Sequence, residues 1–314
     1  MASYLVTGGC GFIGSHLVDS LLVDGHHVKI IDNLSTGSLD NVPQHCELHV
    51  ADICHAGVLN AVMRGVDGCF HLAAIASIQR SNEEWLKTHD VNLTGTIRVL
   101  EAARSAKTPV VYASSAAVYG DNVDMPLSEC SIARPLTAYG ADKLGSELHA
   151  RVASLVHGVP TTGMRIFNVF GPRQDPKLSY SGVISIFAGK VMRDQTLTIF
   201  GDGEQTRDFI YVADVVRFLS AAMQNISVSP DIFNVCRGDA ISVNQLASIL
   251  MSLVGSQMNI EHLPARRGDI RTSIGSPAWG AKELGVVADI TVTQGLRELL
   301  LDLSDVNRSS LSVE

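Results

Sequence analysis

Short apolar, β-favouring runs recur through the first half of the chain at residues 4–7, 27–32, 46–52, 68–72, 110–114 and 161–167. Between them, apolar residues return at helical spacing over 15–24, 58–64, 86–105 and 138–157. Strands separated by helix-length segments imply βαβ units and a parallel sheet covered on both faces. The near-continuous apolar strand Val28-Lys-Ile-Ile31 suits a sheet buried on both sides. The pattern therefore predicts an α/β fold with a doubly wound parallel sheet.

After about Asn168 the alternation fails. Gly171, Pro172, Gly182, Gly201, Gly203 and Pro230 punctuate shorter elements, and 262–268 reads as an extended loop. Helical patterns return over 244–254, 277–284 and 294–303. The division expected is a first lobe over 1–168, with strand and helix returning to it near 208–236. A smaller C-terminal lobe takes 169–207 and 237–304, and 305–314 forms a polar, frayed tail.

Composition narrows the function. Of 314 residues, 46% are hydrophobic and 18% charged, which supports a buried core and excludes disorder, collagen and coiled coil. The net charge of −8, without a basic run, argues against nucleic acid and anionic membrane as partners. Six scattered cysteines form no C-x-x-C pair, and His and Cys never reach zinc-ligand spacing, so neither metal nor disulfide framework is expected. Buried reduced thiols are the expectation instead. No run is long and apolar enough for a membrane span, and no export leader is apparent, so the expected location is cytoplasmic.

Thr7-Gly-Gly-Cys-Gly-Phe-Ile-Gly14 lies directly after the first strand and before the first helix. Glycines at 8, 11 and 14 permit a tight turn and close approach of backbone N–H groups to a pyrophosphate at the helix N-terminus. Asp32 ends the second strand, where a carboxylate binds ribose hydroxyls and repels a 2′-phosphate, favouring NAD over NADP. This is the fingerprint of a Rossmann-type dinucleotide fold. Phe12 and Ile13 within the loop, and Asn33, Ser35 and Gly37 just past Asp32, join the cofactor-binding set.

Tyr139 and Lys143 form Y-x-x-x-K on a predicted helix, one turn apart on one face. A nearby ammonium favours the phenolate, so the Tyr139 pKa is expected to fall toward working pH. Val111-Tyr-Ala-Ser-Ser-Ala-Ala-Val-Tyr-Gly120 ends the fifth strand, where open α/β sheets place their sites. Ser115 is therefore expected to hydrogen-bond the reacting hydroxyl opposite Tyr139, with Ser114 left outside the catalytic set. His71 reads as a hydrogen-bonded core histidine.

The glycine spacing, together with Asp52-Ile53, His71-Leu-Ala-Ala74 and Asn92 in Asp90-Val-Asn-Leu-Thr-Gly95, resembles the extended short-chain dehydrogenase/reductases. Ser114-Ser-Ala-Ala-Val-Tyr-Gly120 is similar to the UDP-galactose 4-epimerase family, and the likeness spans roughly residues 4–275. The resemblance implies adenine contacts from Asp52 and Ile53, and a segment beneath NAD at Leu72, Ala73 and Ala74. It adds Asn92 and, near the nicotinamide, Phe167. It implies C4 inversion of a UDP-sugar through a 4-keto intermediate. Tyr139 then acts as base, and Lys143 also holds the nicotinamide ribose. Ala116 and Ala117 stand where dehydratases of this branch carry an acid, which disfavours dehydration.

For the substrate, the resemblance implies Asn168 and Arg207 on phosphate, Thr198 and Phe200 at the uracil, Arg266 on phosphate and Asp269 on the uridine ribose. Val183 completes that set. Ser273 matches the position controlling space around the sugar C2 substituent, and a small residue there admits an N-acetyl group. Ser77 matches a substrate-side hydroxyl in relatives that handle acetamido sugars. Uronate epimerases carry Thr in place of Asn168 and Arg where Asp175 stands. One departure is Gly275-Ser276, where the family usually reads Ala-Asp. The expectation is an NAD-dependent UDP-hexose 4-epimerase accepting UDP-glucose/UDP-galactose, UDP-N-acetylglucosamine/UDP-N-acetylgalactosamine, or both. The alternatives are a UDP-glucuronate 4-epimerase or nucleotide-sugar reductase on the same frame, and a non-catalytic dinucleotide-sensing protein. A homodimer through the helices of 86–105 and 138–157 is also expected from the family.

Overall fold

A computed structural model describes residues 1–175, 182–229, 231–265 and 269–311, with side chains as far as 305. The strands are β1 (Ser3–Thr7), β2 (His27–Asp32), β3 (Glu47–Val50), β4 (Gly68–His71), β5 (Val110–Ser115), β6 (Thr161–Ile166) and β7 (Asn168–Phe170). They continue as β8 (Leu197–Phe200), β9 (Thr206–Tyr211), β10 (Asp231–Val235), β11 (Ala240–Ser242), β12 (Ile260–Leu263) and β13 (Thr272–Ser273). The helices are α1 (Phe12–Val23), α2 (Ala56–Met63), α3 (Ile78–Glu83), α4 (Trp85–His89), α5 (Gly95–Ala106) and α6 (Ala138–His157). After them come α7 (Val183–Val191), α8 (Val212–Gln224), α9 (Val243–Val254), α10 (Ala278–Glu283) and α11 (Val292–Leu311).

Seven strands form one parallel sheet in the order β10-β6-β5-β4-β1-β2-β3. Successive strand residues point to opposite faces, so neighbours in sequence serve different cores. Val6 and Ile30 pack with Leu17, Leu21, Val215 and Phe218 of α1 and α8. Leu5 and Ile31 pack on the other side with Leu59, Val99 and Ala150 of α2, α5 and α6. This is the doubly buried sheet that the apolar strands require, and its order reverses between β1 and β4.

A second, smaller layer pairs β9 with β11, β13 and β7, and a two-stranded sheet joins β8 to β12. Its core gathers Phe170, Phe187, Leu197, Phe209, Leu246, Leu250 and Leu296. β10 pairs with β6 at the edge of the large sheet, and α8 packs on one of its faces.

Four differences from the sequence reading have local causes. The stretch 86–105 is not one regular helix: its backbone opens into a wide turn of π geometry at Asp90–Thr94, between α4 and α5. There the Thr96 hydroxyl donates to the Asn92 carbonyl at 2.6 Å. Helix α7 was not anticipated, because it is short and apolar on most sides and lacks a clean helical stripe. Residues 260–263, half of them within the expected loop, pair with β8 as β12. Finally, α11 runs on to Leu311, since neither Pro nor Gly interrupts the chain after Gly295.

Candidate active site

The carboxyl ends of β1, β4, β5 and β6 open into a cleft of about 980 Å³ at the point where the strand order reverses. Its floor begins with the glycine turn. Gly8 has φ +73°, and a Cβ there would lie 2.8 Å from the Ala73 nitrogen. A Cβ at Gly14 would lie 2.1 Å from the Gly8 carbonyl oxygen, so α1 can approach β1 only with glycine at this position. Gly11 precedes α1, whose first turn carries no acidic residue to neutralise its positive end. The turn is thus a cradle that a side chain would fill, facing the cleft with Gly11, Phe12, Ile13 and Gly14.

Asp32 is buried at the end of β2, where its carboxylate accepts the N–H groups of Cys10 (3.0 Å) and Leu34 (2.8 Å). Asn33 donates to Asp52 at 3.0 Å, and the Cys54 N–H donates to the same carboxylate at 2.8 Å. Burial works to raise the Asp52 carboxyl, but these donors together hold it below its usual range. Asn33, Ser35, Ile53, Leu72, Ala73 and Ala74 all face the cleft. Gly37 and Asn92 do not. Gly37 lies against Cys10, with room for no Cβ (2.8 Å), and Asn92 is buried in the wide turn. The Asn92 amide bonds both backbone groups of Ile75, accepting at 2.8 Å and donating at 3.2 Å, so it positions the cleft-lining segment beyond Ala74 from behind rather than facing the cleft itself.

Tyr139 and Lys143 lie on α6, which Thr137 caps by accepting the Gly140 N–H at 3.1 Å. The Ser81 hydroxyl also accepts the Tyr139 N–H (3.2 Å), tying α3 to the start of α6. Lys143 Nζ stands 5.8 Å from the Tyr139 ring centre and donates to the Ala113 carbonyl at 2.8 Å. Burial pushes the Lys143 ammonium down to about 8, against the pull of Asp142 and Glu147. The expected depression of Tyr139 is not seen in the protein alone. Burial raises the phenol above its ordinary value, and a hydrogen bond with the Ser115 hydroxyl opposes the rise. Ser115, Tyr139 and Lys143 therefore converge on one wall of the cleft, with Ala116 and Ala117 beside them.

Ser114 and His71 stand behind this wall. Ser114 donates to Glu147 at 2.6 Å, within a buried ion pair of Glu147 with Arg165. His71 bonds the hydroxyls of Thr7 (2.8 Å) and Thr96 (3.0 Å), and burial, aided by the Lys143 charge, pushes it down to about 3. It is a neutral core histidine. Three of the six cysteines (Cys10, Cys69, Cys236) are buried, whereas Cys46 and Cys54 are half-buried and Cys130 is exposed. All six are unpaired.

Phe167, Asn168, Arg207, Asp269, Ser273 and Ser77 also line the cleft. Arg207 and Asp269 are paired with each other at 2.5 Å, so both proposed ligand contacts belong to one ion pair. The Asn168 amide donates to the Asp208 carbonyl at 3.2 Å, and Ser77 caps α3 by accepting the Arg80 N–H at 3.1 Å. Val183, Thr198 and Phe200 are not among the described residues lining the cleft. The Thr198 hydroxyl accepts from Lys190 at 2.9 Å. Arg266 lies outside the described residues. The sequence reading missed the wall made by α3 and α4, where Gln79, Arg80, Asn82 and Lys87 face the cleft. Those residues carry no spacing signal that separates them from a solvated helix surface. Among the described residues no group of three or more His, Cys, Asp or Glu could hold a metal, and no helix is long and apolar enough to cross a membrane.

Residues 4–236 match the model of the NAD dependent epimerase/dehydratase family. The UDP-glucose 4-epimerase of Mycolicibacterium smegmatis is 35% identical over 301 residues, covering 93% of this chain and 95% of that protein. The crystal structure of UDP-glucose 4-epimerase from Thermotoga maritima with UDP-glucose matches with a TM-score of 0.94 at 32% identity, over 97% of this chain and 99% of that one. UDP-N-acetylglucosamine 4-epimerase from Methanobrevibacter ruminantium M1, in complex with UDP-N-acetylmuramic acid, gives 0.93 at 33% identity, over 97% and 99% of the two chains.

Proposed function

This chain belongs to the NAD dependent epimerase/dehydratase family, and we propose that it is a UDP-sugar 4-epimerase. Its substrates in this reading are UDP-glucose/UDP-galactose, UDP-N-acetylglucosamine/UDP-N-acetylgalactosamine, or both. The observation that carries the reading is one cleft joining the glycine cradle, the Ser115–Tyr139–Lys143 wall and the Arg207–Asp269 pair, with no acid at Ala116 or Ala117. The first part of the chain, over the large sheet, would hold NAD, and the residues around β9 and β13 the nucleotide sugar.

The cradle and Asp32 suit the cofactor: Gly8, Gly11 and Gly14 would meet its pyrophosphate, and Asp32 its adenine ribose. When bound, NAD supplies the acceptor and donor of the sugar C4 hydride. Tyr139 takes the proton of the 4-hydroxyl, and Ser115 holds that oxygen from the other side. Because burial alone keeps the phenol protonated, Lys143 must bring positive charge to draw the proton off. Arg207 and Asn168 grip the diphosphate while the 4-keto sugar turns and presents its opposite face. Holding both half-reactions in one site removes the cost of re-encounter.

Purified protein is expected to carry NAD and to equilibrate a UDP-hexose pair without added reductant. Turnover of UDP-glucuronate, or dependence on NADPH, would favour the other enzymes of this frame. Absence of any UDP-hexose turnover with NAD bound overturns the reading. Tyr139→Phe is expected to lower turnover by roughly 10²–10⁴-fold with NAD still bound; full activity would refute the base assignment.

A homodimer through α5 and α6 belongs to the proposal. Leu148, Val152 and Leu155 are exposed along one face of α6, with Ile97 exposed on α5. Sedimentation velocity tests it. The unbridged cysteines suit a cytoplasmic protein.

A further inference from the structure

Asp208 follows Arg207 in β9 and is fully buried. Its Oδ1 accepts the Arg237 N–H at 2.9 Å, and its Oδ2 accepts those of Gly238 (2.9 Å) and Gly275 (3.1 Å). Its own carbonyl accepts the Asn168 amide at 3.2 Å. One carboxylate thus gathers β9, the turn leaving β10, and the segment that follows Ser273. That segment is fixed at both ends. Ser273 is in register with Arg207 in the β13–β9 pair. Gly275 packs so closely that a Cβ would lie 2.6 Å from Cys236 Sγ and 2.7 Å from Phe167 Cζ. The close packing also accounts for glycine at 275, where the family usually has alanine.

We propose that Asp208 is a positioning residue for the nucleotide-sugar clamp, setting Arg207, Asn168 and Ser273 to face one ligand. The inference rests on the UDP-sugar reading above. A purely structural role fits poorly with the electrostatics. Burial pushes the Asp208 carboxyl up to about 6, against its three N–H donors. A raised carboxyl contributes stability that is present at low pH and lost as pH rises through about 6, so at neutral pH the charge opposes folding. Among the described residues no cation forms an ion pair with it. Arg207 turns to Asp269, and Arg237 turns to the Ile290 carbonyl with Asp239 at 4.0 Å. Asp239 and the Cys236 thiol are the remaining titratable groups close to Asp208, and Asp239 adds to the rise. A charge retained at such cost points to the geometry it holds.

The test is calorimetric titration of UDP-glucose into the NAD-loaded wild type and Asp208→Asn, with KM and kcat beside it. UDP-glucose is chosen because its phosphates do not titrate near pH 6. Asp208→Asn cannot accept all three N–H groups, so Kd and KM are expected to rise by about tenfold or more. NAD content should stay unchanged, and kcat should fall far less. In the wild type the affinity should weaken as pH falls through about 6, and this dependence should vanish in Asp208→Asn. A variant with lower Tm but wild-type Kd overturns the proposal. If the variant does not fold, the wild-type pH series decides, and an affinity flat across pH 6 overturns it. Wild type that binds UDP-glucose yet turns over no UDP-hexose would sink the epimerase reading while leaving the clamp inference testable by binding.

Discussion

Glu147→Gln isolates the buried charge pair behind the cleft wall of Ser115, Tyr139 and Lys143. Glu147 and Arg165 side chains are 3% and 7% exposed and meet through two parallel bonds, Nε to Oε1 at 2.9 Å and NH2 to Oε2 at 2.8 Å. Ser114 donates to Oε1 at 2.6 Å, and Arg165 also reaches the Tyr119 hydroxyl at 2.9 Å. A glutamine retains the shape but leaves the guanidinium buried without its counter-charge, and turns an amide donor toward NH2. Breaking one side of such a pair costs about 3–5 kcal/mol. At the usual unfolding entropy per residue, for 314 residues, that lowers Tm by about 5–8 °C. Scanning calorimetry measures it directly. Glu147→Gln combined with Arg165→Met removes both charges and should recover most of the loss, because desolvation then disappears with the attraction. Turnover per folded molecule should change little below about pH 7, since neither residue faces the cleft, while its alkaline decline should move to lower pH because Glu147 helps to hold the Lys143 ammonium up. A Glu147→Gln protein that melts with the wild type, or a double variant no better than the single, would refute the reasoning.

Ser273→Tyr should suppress turnover of UDP-N-acetylglucosamine while sparing UDP-glucose, as read from the ratio of kcat/KM values; an unchanged ratio removes Ser273 as the C2 gate. Lys143 is pushed down to about 8 by burial, so its ammonium is present below that pH and lost as pH rises through it. Turnover should decline on the alkaline side near 8, well below the ordinary range of a lysine, and a kcat profile flat to about pH 10 would show that the charge is not required.

Much of the site was legible because its chemistry is local. A glycine turn, a strand-ending acid and Tyr139 one helical turn before Lys143 depend on backbone geometry that spacing dictates. The long-range members were less legible. Gly37 fills against Cys10, and Asn92 serves Ile75 from a turn that helical periodicity does not disclose. Arg207 and Asp269 were read as separate ligand contacts. Their pairing between β9 and the segment just before β13 became visible only with the fold. Asp208 went unnoticed altogether: an aspartate beside an arginine in sequence looks like its partner, yet the two side chains point to different sides of the strand.

The sequence by itself determined the doubly wound sheet, the cradle at its switch point and the grouping of Ser115, Tyr139 and Lys143 from one strand end and one helix. Each follows from the side-chain period of a strand or helix and the φ freedom of glycine, which act over a few residues. Only the tertiary structure decided the electrostatics. Whether a carboxylate is paired, buried or shared among three backbone segments depends on elements far apart in the chain. The raised Tyr139 and the lowered Lys143 are consequences of burial where α6 packs on β5 and β6, and the clasp at Asp208 forms where the second layer packs against the first.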